Sequence, residues 1–120
     1  MSHREGYVLM LFKKFNEAVA NNRLEKSFKI VWSGRLRTTA GRALLSRNSQ
    51  QHMAEIELSS KILNSFEKLF QTICHELCHC TVWLIDHTKG DHGPLWVKWM
   101  RITKAHFPQL QITRCHNYET

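Results

Sequence analysis

Thr72–Val82 reads TICHELCHCTV, and within it His75, Glu76 and His79 form an HExxH. The apolar residues around the motif predict a helix. On a helix, residues four apart lie one turn above each other, so the two imidazoles can converge on one metal ion. Glu76 projects beside them, where a carboxylate can take a proton from a water activated by that metal. With eight His and eight Glu in 120 residues, chance would place an HExxH in roughly 3% of such chains, so the surrounding sequence has to agree before the motif carries weight.

Outward from the motif, a helical region is expected from Lys61 to about Ile85, started by Ser59 or Ser60 and broken near Asn64 and Ser65. Its second part is apolar nearly all round, with Phe66, Leu69, Phe70, Ile73, Leu77, Cys80, Trp83 and Leu84 keeping to no single stripe. Such a helix belongs in the middle of a domain. A Glu and two His buried there must be hydrogen-bonded or metal-bound to offset their desolvation.

Upstream, Val8, Leu11, Phe12, Phe15 and Val19 recur at helical spacing and predict a helix from Gly6 to Ala20, closed by Asn21 and Asn22. Phe28 to Trp32 reads as a strand, Ser33 and Gly34 as a turn, and Leu36 to Leu45 as a second strand bent at Gly41. In Ala54 to Leu58 apolar and charged residues alternate, as in a strand with one wet face. Downstream, Lys89 to Gly93 is a polar break, Pro94 suits the first position of another helix, and Leu95, Trp96, Trp99, Met100 and Ile102 give that helix an apolar face. Pro108 ends it, and a short strand is expected within Gln111 to Thr120. The class that results is α+β: an N-terminal helix, a small three-stranded antiparallel sheet, the central HExxH helix and a further C-terminal helix, within one domain.

A catalytic zinc site normally has three protein ligands and keeps a fourth position for water. No Glu occurs between Glu76 and Glu119, which removes a downstream glutamate ligand. The pattern HExxHxxGxxH is also absent, because Val82 and Ile85 stand where Gly and His are needed. Asp86, His87, Asp91 and His92 remain. His87 sits where the helix should be ending, and an unbroken helix would turn it away from His79. His92 follows a loop containing Gly90 and precedes Gly93 and Pro94, so the chain can turn back and present it. His92 is the preferred third ligand and His87 the fallback.

Cys74, Cys78 and Cys80 crowd into the motif helix, where disulfides among them would distort it. They are read as reduced thiols and small core residues of an intracellular protein, not as ligands. There is no signal peptide and no apolar run near the ~20 residues that cross a bilayer, so no membrane association is expected. A net charge of +7 favours acidic partners such as nucleic acid. Lys26, Lys29, Arg35, Arg37, Arg42 and Arg47 fall in a span without a single acid, a patch able to contact phosphates; exposed aromatics such as Trp32 could stack on single-stranded bases.

HELCH at 75–79, GDHG at 90–93 followed by a Trp-rich helix, RLRTTAGRALL at 35–45 and the ending TRCHNY together resemble the SprT-like metalloprotease domain over about Tyr7 to Tyr118. The resemblance implies a zincin-like fold, zinc ligands His75, His79 and His92, and Glu76 as general base. It also implies a nuclear, chromatin-associated protease of proteins crosslinked to DNA, with DNA, including single-stranded DNA, as partner. Domains of this kind continue into a small zinc ribbon. Cys115 or His116 would be the first ligand of such a ribbon and the others are missing, so residues 1–120 are expected to be a single, monomeric domain without it. The alternative is a catalytically inactive, zinc-stabilised module that binds DNA or chromatin proteins.

Overall fold

The computed structural model describes residues 3–24, 27–89 and 92–111. Its elements are α1 (Arg4–Ala18), β1 (Phe28–Ser33), β2 (Gly41–Arg47), β3 (His52–Ser59), α2 (Phe66–Asp86) and α3 (Pro94–His106). This is the α+β arrangement that the periodicities predict. Asp91, Cys115, His116 and the strand expected beyond Gln111 lie outside the described residues.

In β3, Ala54, Ile56 and Leu58 point inward and are buried, while Glu55 and Glu57 point to the opposite face. Those two acids explain why β3 takes the central position in the order β1-β3-β2. Glu55 pairs with Lys29 of β1 at 3.3 Å, and Glu57 with Arg42 of β2, each directly opposite in register. Cross-strand pairs of opposite charge favour this alignment on the outer face.

The sheet is mixed, not wholly antiparallel: β2 runs antiparallel to β3, but β1 runs parallel to it. Ser33 and Gly34 do not form a tight hairpin turn. Residues 34–40 instead cross the end of the sheet, over the slot that β3 fills, and β2 starts only at Gly41. Two strand spacings are roughly 10 Å, well within the reach of that segment. The Ser59 hydroxyl donates to Leu36 O at 2.7 Å, and the backbone N–H groups of Ser59 and Ser60 donate to Ala40 O and Ser33 O, fastening the crossing.

Gly41 therefore begins a strand and does not bend one. Its role is a close approach: a Cβ at this position would lie 2.9 Å from Thr72 Cγ2 and 3.3 Å from Glu57 O. Only glycine lets β2 rest this tightly on α2. At the far end of β2, the Trp83 indole N–H lies within hydrogen-bonding distance of Ser46 O (2.9 Å) and Met53 O (3.0 Å). Between Thr72 and Trp83, α2 is thus clamped along β2 and the adjacent β3.

α1 covers β1 on the same face of the sheet. Phe12 stacks on Phe28, and the Arg4 guanidinium lies over Trp32 while donating to Ser60 O. The helix ends at Ala18, with Val19 as its C-cap, and the chain then turns at Asn21 and Asn22, both with positive φ (52° and 60°), a conformation that Asn tolerates better than most residues. α2 starts later than expected, at Phe66, because Ser65 is the capping residue; its side chain accepts from Lys68 N–H. α3 packs on the flank of α2 away from the sheet. Gly93 and Pro94 stand at its N-cap and first position. Among the described residues, no helix is long and apolar enough to cross a membrane.

Candidate metal centre

α2 carries His75, Glu76 and His79 in its middle turns, and His92, two residues before α3, is brought back to them. The His92 Nε2 lies 3.0 Å from the Nε2 of His75 and 3.0 Å from that of His79. One ligand atom from each of the three falls within 4.8 Å of the others. Hydrogen bonding alone does not account for this. A neutral ring nitrogen holds either one proton or one lone pair, so His92 Nε2 cannot be donor to one neighbour and acceptor from the other at once. A single cation accepts all three lone pairs. Nitrogens ~2.05 Å from a tetrahedral zinc stand roughly 3.3 Å apart, close to the spacing seen, so the donor set fits such an ion.

His75 is buried, whereas His79 and His92 are only partly covered, so solvent reaches the cluster from their side. Glu76 is 2% exposed and lies one residue beyond His75 on the helix. Asp86 and His87, the other ring and acid groups near this end of α2, are engaged elsewhere. Asp86 accepts from the Trp99 indole N–H at 2.7 Å. His87 caps α2 in the left-handed conformation and stacks on His52, ring centroids 4.1 Å apart.

The cysteines are core residues. Burial pushes the Cys74 thiol well up, aided by Cys78. It pushes Cys78 up to about 12 and Cys80 well above the usual thiol range, with the Glu76 charge adding to both. Cys78 Sγ sits 3.5 Å from Thr103 Oγ1 of α3, which ties the two helices together. Thiols held protonated in this way are poor metal ligands.

Two features of the site had no signal in the sequence. The first is the edge strand. Ser59 N–H donates to Ala40 O and Asn48 N–H to Gln51 O, which sets the alternation of the ladder: even-numbered residues of β2 bond to β3. The N–H and C=O groups of Gly41, Ala43, Leu45 and Arg47 consequently face outward from the sheet edge. β2 borders α2 from Thr72 to Trp83, and α3 borders it at His75, Cys78 and Asp86, so the part of α2 that carries the histidines is flanked by that strand and by α3. The second feature is Trp96, whose ring contacts all three imidazoles, with centroids 5.0 Å from His75, 5.7 Å from His79 and 4.7 Å from His92.

The arginines read as a phosphate-binding patch do not share one face. Arg35 and Arg37 are exposed in the crossing segment, Arg42 on the outer face is paired with Glu57, and Arg47 lies at the opposite end of β2 on the helix side, next to His52. Hydrogen bonding from the Arg42 guanidinium holds the Glu57 carboxyl below the usual carboxylate range. The run free of acids in sequence thus meets the acids of β3 in space.

Residues 8–116 match the pattern of the SprT-like family. The chain belongs to the SprT-like family. It is 41% identical to the germ cell nuclear acidic protein of Drosophila melanogaster across 90% of its own length, and 30% identical to the human protein of that name across 98%. It is 38% identical, across 79%, to an HMG box-containing protein of Schizosaccharomyces pombe. This SprT-like chain spans only 10%, 18% and 28% of those three relatives respectively.

Proposed function

We propose that this SprT-like chain is the catalytic domain of a zinc-dependent endopeptidase that acts on proteins bound or crosslinked to DNA in the nucleus. The observation that carries the reading is the convergence of His75, His79 and His92 beside Glu76, on a helix bordered by the edge strand β2. In this reading the three imidazoles hold the zinc through Nε2. When bound, the ion supplies a Lewis acid that polarises a carbonyl and brings the pKa of water toward neutrality. Glu76 accepts the proton of the attacking water and passes it to the departing amine. The outward N–H and C=O groups of Ala43 and Leu45 hold an extended peptide by strand addition, which carries its scissile bond past the three histidines. That mode reads backbone more than side chains and suits a protease with varied substrates.

The nuclear, DNA-associated setting is supported by the names of the relatives, nuclear acidic proteins and an HMG box-containing protein, and by the net charge of +7. Arg35 and Arg37 are the better placed phosphate contacts, because Arg42 is shared with Glu57. The test is Glu76→Gln, which keeps the shape of the side chain and removes the base. Zinc content should match the unaltered protein, while cleavage of a protein substrate held on DNA should fall by at least ~100-fold. Unchanged cleavage would remove the mechanism.

A further inference from the structure

Trp96 is 1% exposed, and its ring packs against His75, His79 and His92 together, with ring centroids 4.7 to 5.7 Å apart. Its indole N–H also points at the backbone carbonyl of His75, at 3.4 Å. Gly93 and Pro94 start the helix immediately after His92, and Val97 N–H donates to Gly93 O at 3.0 Å, so Trp96 stands in the first turn, four residues beyond the ligand. From there it spans the gap between the helix that carries two of the histidines and His92 just ahead of its own helix.

Imidazoles turn readily about their terminal torsion, and a three-histidine site is only as exact as whatever stops that rotation. Polar partners behind each ring contribute to that. Here one aromatic plate touches all three rings at once, so their orientations are not independent. We propose that Trp96 is the positioning residue of the metal centre: its ring locks the three imidazoles into a preformed, zinc-sized arrangement and keeps water from their buried side. The inference rests on the reading of the three histidines as a zinc site. It adds that the site is preorganised by packing, so zinc affinity depends on an aromatic side chain that donates nothing to the ion.

Trp99 supplies the control. It lies on the same helix, is likewise buried, contacts Asp86 and Lys98, and shows no ring contact with the metal histidines. Zinc affinity should be measured by competition with a chromophoric chelator for the unaltered chain, Trp96→Leu, Trp96→Phe and Trp99→Leu. Unfolding curves run in parallel establish that each variant is folded. Cobalt(II) spectra of the same variants report ligand geometry. Trp96→Leu should bind zinc about 10- to 100-fold more weakly, with an altered cobalt spectrum. Trp96→Phe, which restores a ring, should recover most of that loss, and Trp99→Leu should stay within about threefold of the parent. If Trp96→Leu does not fold, Trp96→Met, which conserves bulk without a ring, takes its place in the same comparison. Equal losses in the Trp96 and Trp99 variants, or a Trp96→Phe as poor as the leucine variant, would reduce Trp96 to a core residue. Failure of the unaltered chain to bind zinc would instead overturn the metal reading itself.

Discussion

Replacing Gly41 by alanine tests how β2 is held along the metal-bearing helix. The added Cβ would stand 2.9 Å from Thr72 Cγ2, 3.3 Å from Glu57 O and 3.3 Å from Leu58 Cδ2, against a comfortable ~3.5–4.0 Å for non-bonded carbons. Thr72 is buried and β-branched, so its methyl has little freedom to retreat. Glu57 O is backbone of the central strand, and moving it bends the ladder. Overpacking of this kind costs about 1–3 kcal/mol. Gly41 does not have positive φ, so alanine fits its backbone and returns about 0.4–1 kcal/mol by restricting the unfolded chain. The net expectation is a loss of about 0.5–2 kcal/mol, a fall of several °C in Tm for a domain of this size. Urea unfolding at one fixed zinc concentration should show a lower midpoint with an unchanged slope. Thr72→Ser deletes the offending methyl at a cost of about 1 kcal/mol on its own. In the double variant the alanine penalty should fall by more than half, a coupling that the double-mutant cycle measures directly. A Gly41→Ala protein as stable as the parent, or a cycle with no coupling, would refute the close approach of β2 to α2.

Two further outcomes follow from charge. The Glu57 carboxyl titrates lower in the folded protein than in the unfolded chain because Arg42 hydrogen-bonds to its charged form. Its contribution is therefore full above the unfolded value of ~4.3 and disappears as pH falls through the lower folded value. Arg42→Ala should cost about 0.2–1 kcal/mol near pH 7, and that difference should shrink in unfolding curves taken below about pH 4. For DNA binding, neutralising Arg35 and Arg37 together should weaken affinity across sequences and flatten the dependence of log K on log salt by about 1.8 for duplex DNA, whereas Arg42→Ala should change it less. Equal slopes in all three proteins would count against contacts from the crossing segment.

The helices were legible because each carries a pattern that the chain cannot satisfy otherwise. Val8, Leu11 and Phe15 required a partner for one face of α1, and the all-round apolar character of α2 placed it at the centre. His92 was reachable because no glutamate and no HxxGxxH spacing follows His79, and because, of Asp86, His87, Asp91 and His92, it stands where the chain can turn back. What the sequence did not carry was pairing. The parallel β1 depends on a seven-residue crossing that reads locally as a turn and a strand, and Ser59, which fastens it, lies far along the chain. The start of α2 was read too early, at Ser59 or Ser60 with a break near Ser65, because serines at each place suit an N-cap; Ser59 and Ser60 are instead taken up by the crossing and Ser65 is the cap. The basic run looked uncontested because Glu55 and Glu57 lie outside it in sequence and face it only across the sheet. Trp96 read as one more apolar residue on its helix, since contact with all three histidines exists only once α3 is docked on α2.

The coordination of the metal itself bears most directly on the account. X-ray absorption at the zinc edge of the loaded protein should give three imidazole nitrogens at ~2.0–2.1 Å and a single light-atom ligand beyond them, with no sulfur. Metal retention should be lost in His92→Ala and kept in His87→Ala. Sulfur scattering at ~2.3 Å, or zinc retained by His92→Ala and lost by His87→Ala, would contradict the three-histidine centre.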